Sequence, residues 1–329
     1  MRRGRPLLAL LATIASVLAC AVLVAACGDD DNKSGTTETP ANAQAIQKNP
    51  DNAGVNITVG SKNFTEEFIL GEIYAQALQA AGYDVKKDLN LGSEQIALKA
   101  LKNGDVDGYP EYTSTALTSF FDVKAADIPN DAKDAVAQAQ EDFSKEGLIA
   151  LEPTPFTSAN AVGMLKKKAD ELGVKTISDL EGKSQNLTLY GSPECRQRPD
   201  CLVGLEQDYG LEFKKFTPVD IGLRYEVLDK GQADLSIIFT TDAQLSTRKD
   251  VVTLVDDKKV FPPGNVTFVA SEKKVQEAGA DLQKTVELVQ KGLTEEVMRE
   301  LNARVDVDRQ TPKQAARGYL RESGYIDGN

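Results

Sequence analysis

The sequence predicts an α/β fold built from two similar lobes. Three observations predict it. Short apolar strand-like runs alternate with amphipathic helical stretches, and a segment around residue 104 recurs around residue 231. The 329 residues are enough for two domains that each bury a core.

Composition narrows the function before any motif is read. The chain has 41% apolar and 27% charged residues, an ordinary globular balance, and no His or Trp. Without His, Ser-His-Asp and Cys-His catalysis and His-containing zinc sites are excluded. A net charge of −12 argues against nucleic acid as a partner, because phosphate binding needs a basic face. No cofactor or metal is implied.

The N-terminus reads as an export signal. Arg2, Arg3 and Arg5 precede an apolar run from Leu7 to Ala26, which ends in Val24-Ala25-Ala26-Cys27-Gly28. That ending resembles the lipobox of bacterial lipoproteins, in which the cysteine is lipidated and becomes the mature N-terminus. Cys20 is a rival, but Leu18 and Ala19 suit the small-residue requirement less well. A membrane-spanning anchor is the competing reading of the run. Cleavage before Cys27 would leave 35 cationic against 50 acidic residues, a net charge of −15. Residues 27–54 then read as a disordered tether, polar throughout, with Ile46 the only large apolar residue before Val55.

The folded body opens with a strand at Val55–Val59 and a loop, Gly60-Ser61-Lys62-Asn63-Phe64. Thr65 is placed to N-cap a helix whose first turn holds Glu66 and Glu67 and which buries Phe68, Ile69, Ile73 and Leu78 before Gly82. A helix at Ser93–Lys102, a strand at Val106–Tyr109 and a helix over 131–146 follow, a pattern that points to mainly parallel sheets. Lys166-Lys167-Lys168 reads as a solvated turn after the strand Ala161–Leu165.

The internal echo is specific in its order. Ala100-Leu101-Lys102-Asn103-Gly104-Asp105-Val106-Asp107 resembles Val227-Leu228-Asp229-Lys230-Gly231-Gln232-Ala233-Asp234. Counted from each glycine, Tyr112 matches Phe239 and Thr115 matches Asp242. Val59-Gly60-Ser61-Lys62 likewise echoes Tyr190-Gly191-Ser192-Pro193. Equivalent loops then fall at the C-terminal ends of equivalent strands, where open α/β sheets bind ligands.

Two lobes, a lipid anchor and a tether describe the substrate-binding protein of an ABC importer, which closes on its solute like a clam shell. Gly60-Ser61-Lys62-Asn63-Phe64-Thr65-Glu66-Glu67-Phe68-Ile69-Leu70-Gly71-Glu72 and Tyr109-Pro110-Glu111-Tyr112-Thr113-Ser114-Thr115 resemble signature segments of the glycine betaine/choline/osmoprotectant-binding proteins. So do Ile221-Gly222-Leu223-Arg224-Tyr225, Phe239-Thr240-Thr241-Asp242 and Phe261-Pro262-Pro263, in the same order. The resemblance covers about residues 55–329. It implies a type II periplasmic-binding-protein-like fold. Lobe 1 would be 55–159 plus 264–329 and lobe 2 would be 160–263, with the ligand cleft between them.

By the same resemblance, Lys62, Thr115 and Arg198 hold the carboxylate of a zwitterionic solute, with Arg196 the alternative to Arg198. Arg suits a carboxylate because its planar fork donates paired hydrogen bonds. The family boxes the quaternary ammonium end with four tyrosines, whose ring faces attract a cation that has no N–H to donate. Here Tyr112 keeps one wall and Phe239 a second without its hydroxyl, while Asn160 and Gly264 stand at the other two. Tyr190 and Tyr225 read as packing residues or substitute walls, and Asp242 or Glu111 as an offset for the ligand's cation.

Cys195 and Cys201 read as a disulfide because the chain is exported, with a metal pair or free thiols as alternatives. The resemblance implies a monomer on the outer face of the cytoplasmic membrane, delivering its solute to a permease driven by a cytoplasmic ATPase. A His-free secreted α/β hydrolase and a lipoprotein that binds a protein partner are the competing functions. No Gly-x-Ser-x-Gly elbow supports the hydrolase. Metabolic labelling with a palmitate analogue is expected to mark the wild-type chain and to miss Cys27→Ala; lipid on the variant overturns the assignment.

Overall fold

The computed structural model describes residues 45–129 and 131–327. The signal segment, Cys27 and the first part of the tether lie outside the described residues. In chain order the strands are β1 (Asn56–Gly60), β2 (Asp84–Asp88), β3 (Gly108–Tyr112), β4 (Leu148–Ala150) and β5 (Thr157–Ser158), then β6 (Asn160–Leu165), β7 (Thr188–Gly191), β8 (Lys215–Pro218), β9 (Leu235–Phe239) and β10 (Val251–Thr253), and finally β11 (Gly264–Ser271).

They form two sheets of matching design. The first runs β2-β1-β3-β11-β4, with β5 also paired to β11, and the second runs β10-β6-β9-β7-β8. Read from the other edge, the second sheet repeats the first, with β7 in the place of β1 and β9 in the place of β3. The parallel pairs are β1 with β2 and β3, and β7 with β8 and β9. β11 and β6 run antiparallel to their neighbours on both sides. The sheets are therefore mixed rather than mainly parallel. β6 is the first strand after the chain reaches the second sheet, and β11 is the strand that returns. A strand that arrives directly from the other sheet needs no crossover helix and can lie antiparallel.

The sequence echo has a structural cause. Asp107 accepts the Thr58 N–H at 2.8 Å and Asp234 accepts the Thr188 N–H at 2.8 Å. In each sheet the repeated aspartate ties the turn before one parallel strand, β3 or β9, to the backbone of its parallel neighbour, β1 or β7. The repeat thus marks a shared construction, and it places Tyr112 and Phe239 at the ends of equivalent strands, β3 and β9.

The helix Thr65–Ala80 is the axis of the first lobe. Its residues are buried on nearly every side, against the helices Ala280–Gln290, Glu295–Asp306 and Pro312–Glu322. Its N-cap is Phe64, in extended conformation; Thr65 is instead the first helical residue and donates its hydroxyl to Asp306 at 2.7 Å. Other boundaries shift similarly: the helix expected at Ser93–Lys102 is Glu94–Asn103, and the strand expected at Val106–Tyr109 is β3. The three lysines at 166–168 open a helix, Lys166–Leu172, instead of forming a turn; Lys166 and Lys167 pair with Asp170 and Glu171 one turn on. Residues 45–54 of the segment read as a tether lie on the first lobe. Ile46 donates its N–H to Tyr325 and packs on the core, and the buried Asn52 side chain donates to Ala81 O at 2.8 Å.

Phe268 of β11 is fully buried, its ring edge-on to Tyr74 at 5.0 Å. β3 makes room for it with Gly108, where a Cβ would come within 2.5 Å of the Phe268 ring. Phe268→Ala is expected to destabilise the protein by about 3–5 kcal/mol through loss of burial and the cavity left behind. Urea denaturation followed by circular dichroism measures it, and an unchanged midpoint contradicts the role of this ring.

Candidate functional site

A cavity lies between the two sheets, lined from both sides: Lys62, Phe64, Tyr112 and Thr115 from the first, Asn160, Arg198, Arg224 and Phe239 from the second. Its volume is about 90 Å³, the liquid-phase share of about three waters at ~30 Å³ each.

The loop after β1 carries Lys62 and Phe64, and local hydrogen bonds hold its shape. Glu67, in the first turn of the helix Thr65–Ala80, reaches back to accept the Lys62 N–H at 2.9 Å. Ser61 Oγ donates to Lys62 O at 3.0 Å and accepts from Asn90 N at 3.1 Å. The Lys62 ammonium is buried against two carboxylates, Glu111 in direct contact and Glu67 at 3.6 Å. Burial alone would depress its pKa, but Glu111 and Glu67 outweigh burial and hold it above the ordinary value. Glu111 also accepts the hydroxyl of Tyr109 at 3.0 Å and the N–H of Tyr112 at 2.7 Å. Glu111 is thus committed to Lys62 rather than open to a ligand cation.

Arg198 comes from the loop closed by the disulfide between Cys195 and Cys201, whose Cα atoms are 5.1 Å apart. Both sulfurs are buried in the core of the second lobe. Asp200 in the same loop grips Arg198 in bidentate fashion, with Nε to Oδ1 at 2.8 Å. The guanidinium also reaches the first lobe, with Nη2 3.4 Å from Thr115 Oγ1 and Nη1 3.4 Å from Glu94. Arg196 instead lies over the Phe216 ring at 5.0 Å, outside the cavity lining.

The ring end of the cavity departs from the expected box. Tyr112 and Phe239 both line it, but Phe64 joins them, with ring centroids 6.2 Å from Tyr112 and 5.3 Å from Phe239. Its place two residues after Lys62, in a loop at a strand's C-terminal end, was the available signal for this ring. The Tyr112 hydroxyl donates to the buried Glu66 at 2.6 Å, and Asn302 donates to the same carboxylate at 2.8 Å. Both retained rings carry a cation of the chain itself. Lys62 Nζ lies 4.5 Å from the Tyr112 centroid, and the Arg224 guanidinium carbon lies 4.6 Å from that of Phe239.

Asp242 is not among the residues that line the cavity. Its carboxylate accepts from the Arg224 guanidinium, the Tyr225 hydroxyl at 2.9 Å and the Phe239 N–H at 2.9 Å, which leaves it no role as an offset for a ligand's charge. Asn160 sits opposite Phe239 across β6 and β9, and its amide nitrogen donates to Asp200 O at 2.8 Å. Gly264 is walled off rather than vacant: a Cβ there would fall 2.3 Å from Ser114 Oγ and 2.9 Å from its backbone nitrogen. Tyr190 and Tyr225 also lie outside the lining.

The buried carboxylates beside the site make stability depend on pH. Burial pushes the Glu67 carboxyl from 4.5 up to about 8, with Lys62 opposing the rise and Glu111 and Glu66 adding to it. The folded state therefore keeps this proton where the unfolded chain has lost it. The stabilisation is complete below about 4.5 and is lost as pH rises through about 8. Glu67→Gln is expected to flatten the fall in Tm between pH 5 and 8. An unchanged pH slope in thermal unfolding contradicts a protonated Glu67.

Comparisons with known proteins agree with this geometry. Residues 55–322 match the family model described as the substrate-binding domain of the ABC-type glycine betaine transport system. A glycine-betaine-binding protein of Pseudomonas aeruginosa is 33% identical over 282 residues, 82% of this chain and 89% of that protein. A carnitine transport binding protein of Listeria monocytogenes is 27% identical, over 83% of this chain and 88% of its own length. A crystal structure titled as a glycine betaine/carnitine/choline ABC transporter is 25% identical, with a TM-score of 0.64 over 82% of this chain and 100% of that one. Two α/β lobes, a small cavity between them and a family match over nearly the whole folded body lead to one conclusion: the chain belongs to the substrate-binding domains of ABC-type glycine betaine transport systems.

Proposed function

We propose that this protein, anchored through a lipidated Cys27, holds a small zwitterionic solute between its lobes for delivery to a membrane permease. It acts as an exported, monomeric binding protein and not as an enzyme. The observation that carries this reading is Arg198. It stands in the cavity on the second lobe and meets Thr115 and Glu94 of the first. The Asp200 contacts fix the orientation of the guanidinium. The Glu94 contact, at 3.4 Å, is the looser one, so Nη1 is the donor that a solute carboxylate takes. A carboxylate bound there touches both lobes and favours the closed arrangement.

Lys62 contributes positive potential and positions Tyr112, because Glu111 and Glu67 already hold its ammonium. The same pairing disfavours the hydrolase reading, since a Ser-Lys mechanism needs a neutral lysine as base.

Arg198→Ala is expected to weaken solute binding by tenfold or more, a loss above ~1.5 kcal/mol for one charge-assisted partner. The solute is first identified by mass spectrometry of what the purified protein retains, and then titrated by calorimetry. Unchanged affinity in the variant overturns the assignment of the carboxylate site.

A further inference from the structure

We infer that Arg224 determines specificity: it occupies the ring face of Phe239 where a solute's ammonium would stack, so the site disfavours quaternary ammonium groups at that wall. The inference rests on the zwitterion-binding reading above and deepens it.

The geometry is built around the Phe239 ring. Arg224 follows the 3₁₀ turn Ile221–Leu223 and lines the cavity, with its guanidinium carbon 4.6 Å from the Phe239 centroid. Three anchors hold it there. Nε donates to Asp242 Oδ2 at 3.0 Å, Nη2 pairs with Asp242 Oδ1, and Nη1 donates to Ile221 O. Asp242 in turn accepts the N–H of Phe239, so the carboxylate fixes the cation and the ring as one unit. Phe64 packs against the same ring at 5.3 Å.

A trimethylammonium brought to this wall would be a second cation over an aromatic face that already holds one. The ring's attraction is shared, and like charges meet at short range. The guanidinium carries five N–H donors, of which these anchors use three. The remaining donors suit a hydroxyl or carbonyl oxygen. The solute class assigned to the site is therefore a small carboxylate-bearing zwitterion whose far end presents a hydrogen-bond acceptor. That acceptor, rather than a methylated ammonium, meets Arg224.

The test compares wild type with Arg224→Met, which keeps the stem and removes the charge, and with Arg224→Lys, which keeps the charge. Glycine betaine, choline and 4-hydroxyproline are the probes, titrated by calorimetry or by ligand-detected NMR where binding is weak. Glycine betaine and choline should bind at least fivefold tighter to the Met variant and no tighter to the Lys variant. 4-Hydroxyproline should bind more weakly to the Met variant. Because Met leaves the Asp242 carboxylate without its partner, the Arg224→Met/Asp242→Asn double variant repeats the test with no buried charge orphaned.

Unchanged or weaker glycine betaine binding in the Met variants overturns the role of Arg224. That result leaves the binding function standing if Arg198→Ala still weakens capture tenfold or more. If the Arg198 variant binds every probe as wild type does, the binding mode itself fails.

Discussion

The strand β11 is the constraint on which the rest of this structure depends. It pairs with β3 over five residues, with β4 over three, and with β5 over two. One strand therefore completes the first sheet, carries the buried Phe268 against Tyr74, and holds the chain's outward crossing beside its return. The link is reinforced where Ser158 Oγ lies 3.0 Å from Thr241 Oγ1 and Ala159 N donates to Thr240 Oγ1 at 3.1 Å. The helix Glu295–Asp306 adds Arg299 on Thr240 O and Asn302 on Thr241 O. The two lobes meet through short backbone segments, a few polar contacts and the Phe64 ring against Phe239, an arrangement compatible with hinge closure.

Inside the cleft, the governing rule is that a buried charge needs a partner. Lys62 has Glu111, Arg198 has Asp200 and Glu94, and Arg224 has Asp242. Each pair also sets the direction of its cation, so the site's charge is preorganised and does not depend on the solute to fix it. Lys62 and Arg224 lie over the rings of Tyr112 and Phe239.

Much of the site was legible as residue types at loop positions. Lys62, Tyr112, Thr115, Asn160, Arg198 and Phe239 all line the cavity: Tyr112 and Phe239 end β3 and β9, Lys62 and Arg198 lie in the segments after β1 and β7, Thr115 is in the helix that follows β3, and Asn160 opens the antiparallel β6 opposite Phe239. Asp242 was placed there by the same counting and lies behind the ring instead, since position after a strand does not say which way a short side chain turns. Phe64 and Arg224 were part of recognisable segments, yet their roles depend on contacts between parts of the chain far apart in sequence. Gly264 reads as a missing wall in the sequence; the close approach of Ser114 shows a packed position.

The sequence by itself determined that this is an α/β chain with two related halves. Apolar periodicity and the repeated Gly-x-Val/Ala-Asp segment are local properties, and the aspartates close the same turn wherever they occur. Which strands run antiparallel, and what each cavity charge is paired with, was decided only by the tertiary structure. β6 and β11 take their directions from how the chain crosses between lobes. Lys62 meets Glu111 across 49 residues, and Arg198 meets Thr115 across 83. No local pattern encodes such pairs, because their energy exists only once burial removes the water that would otherwise screen them.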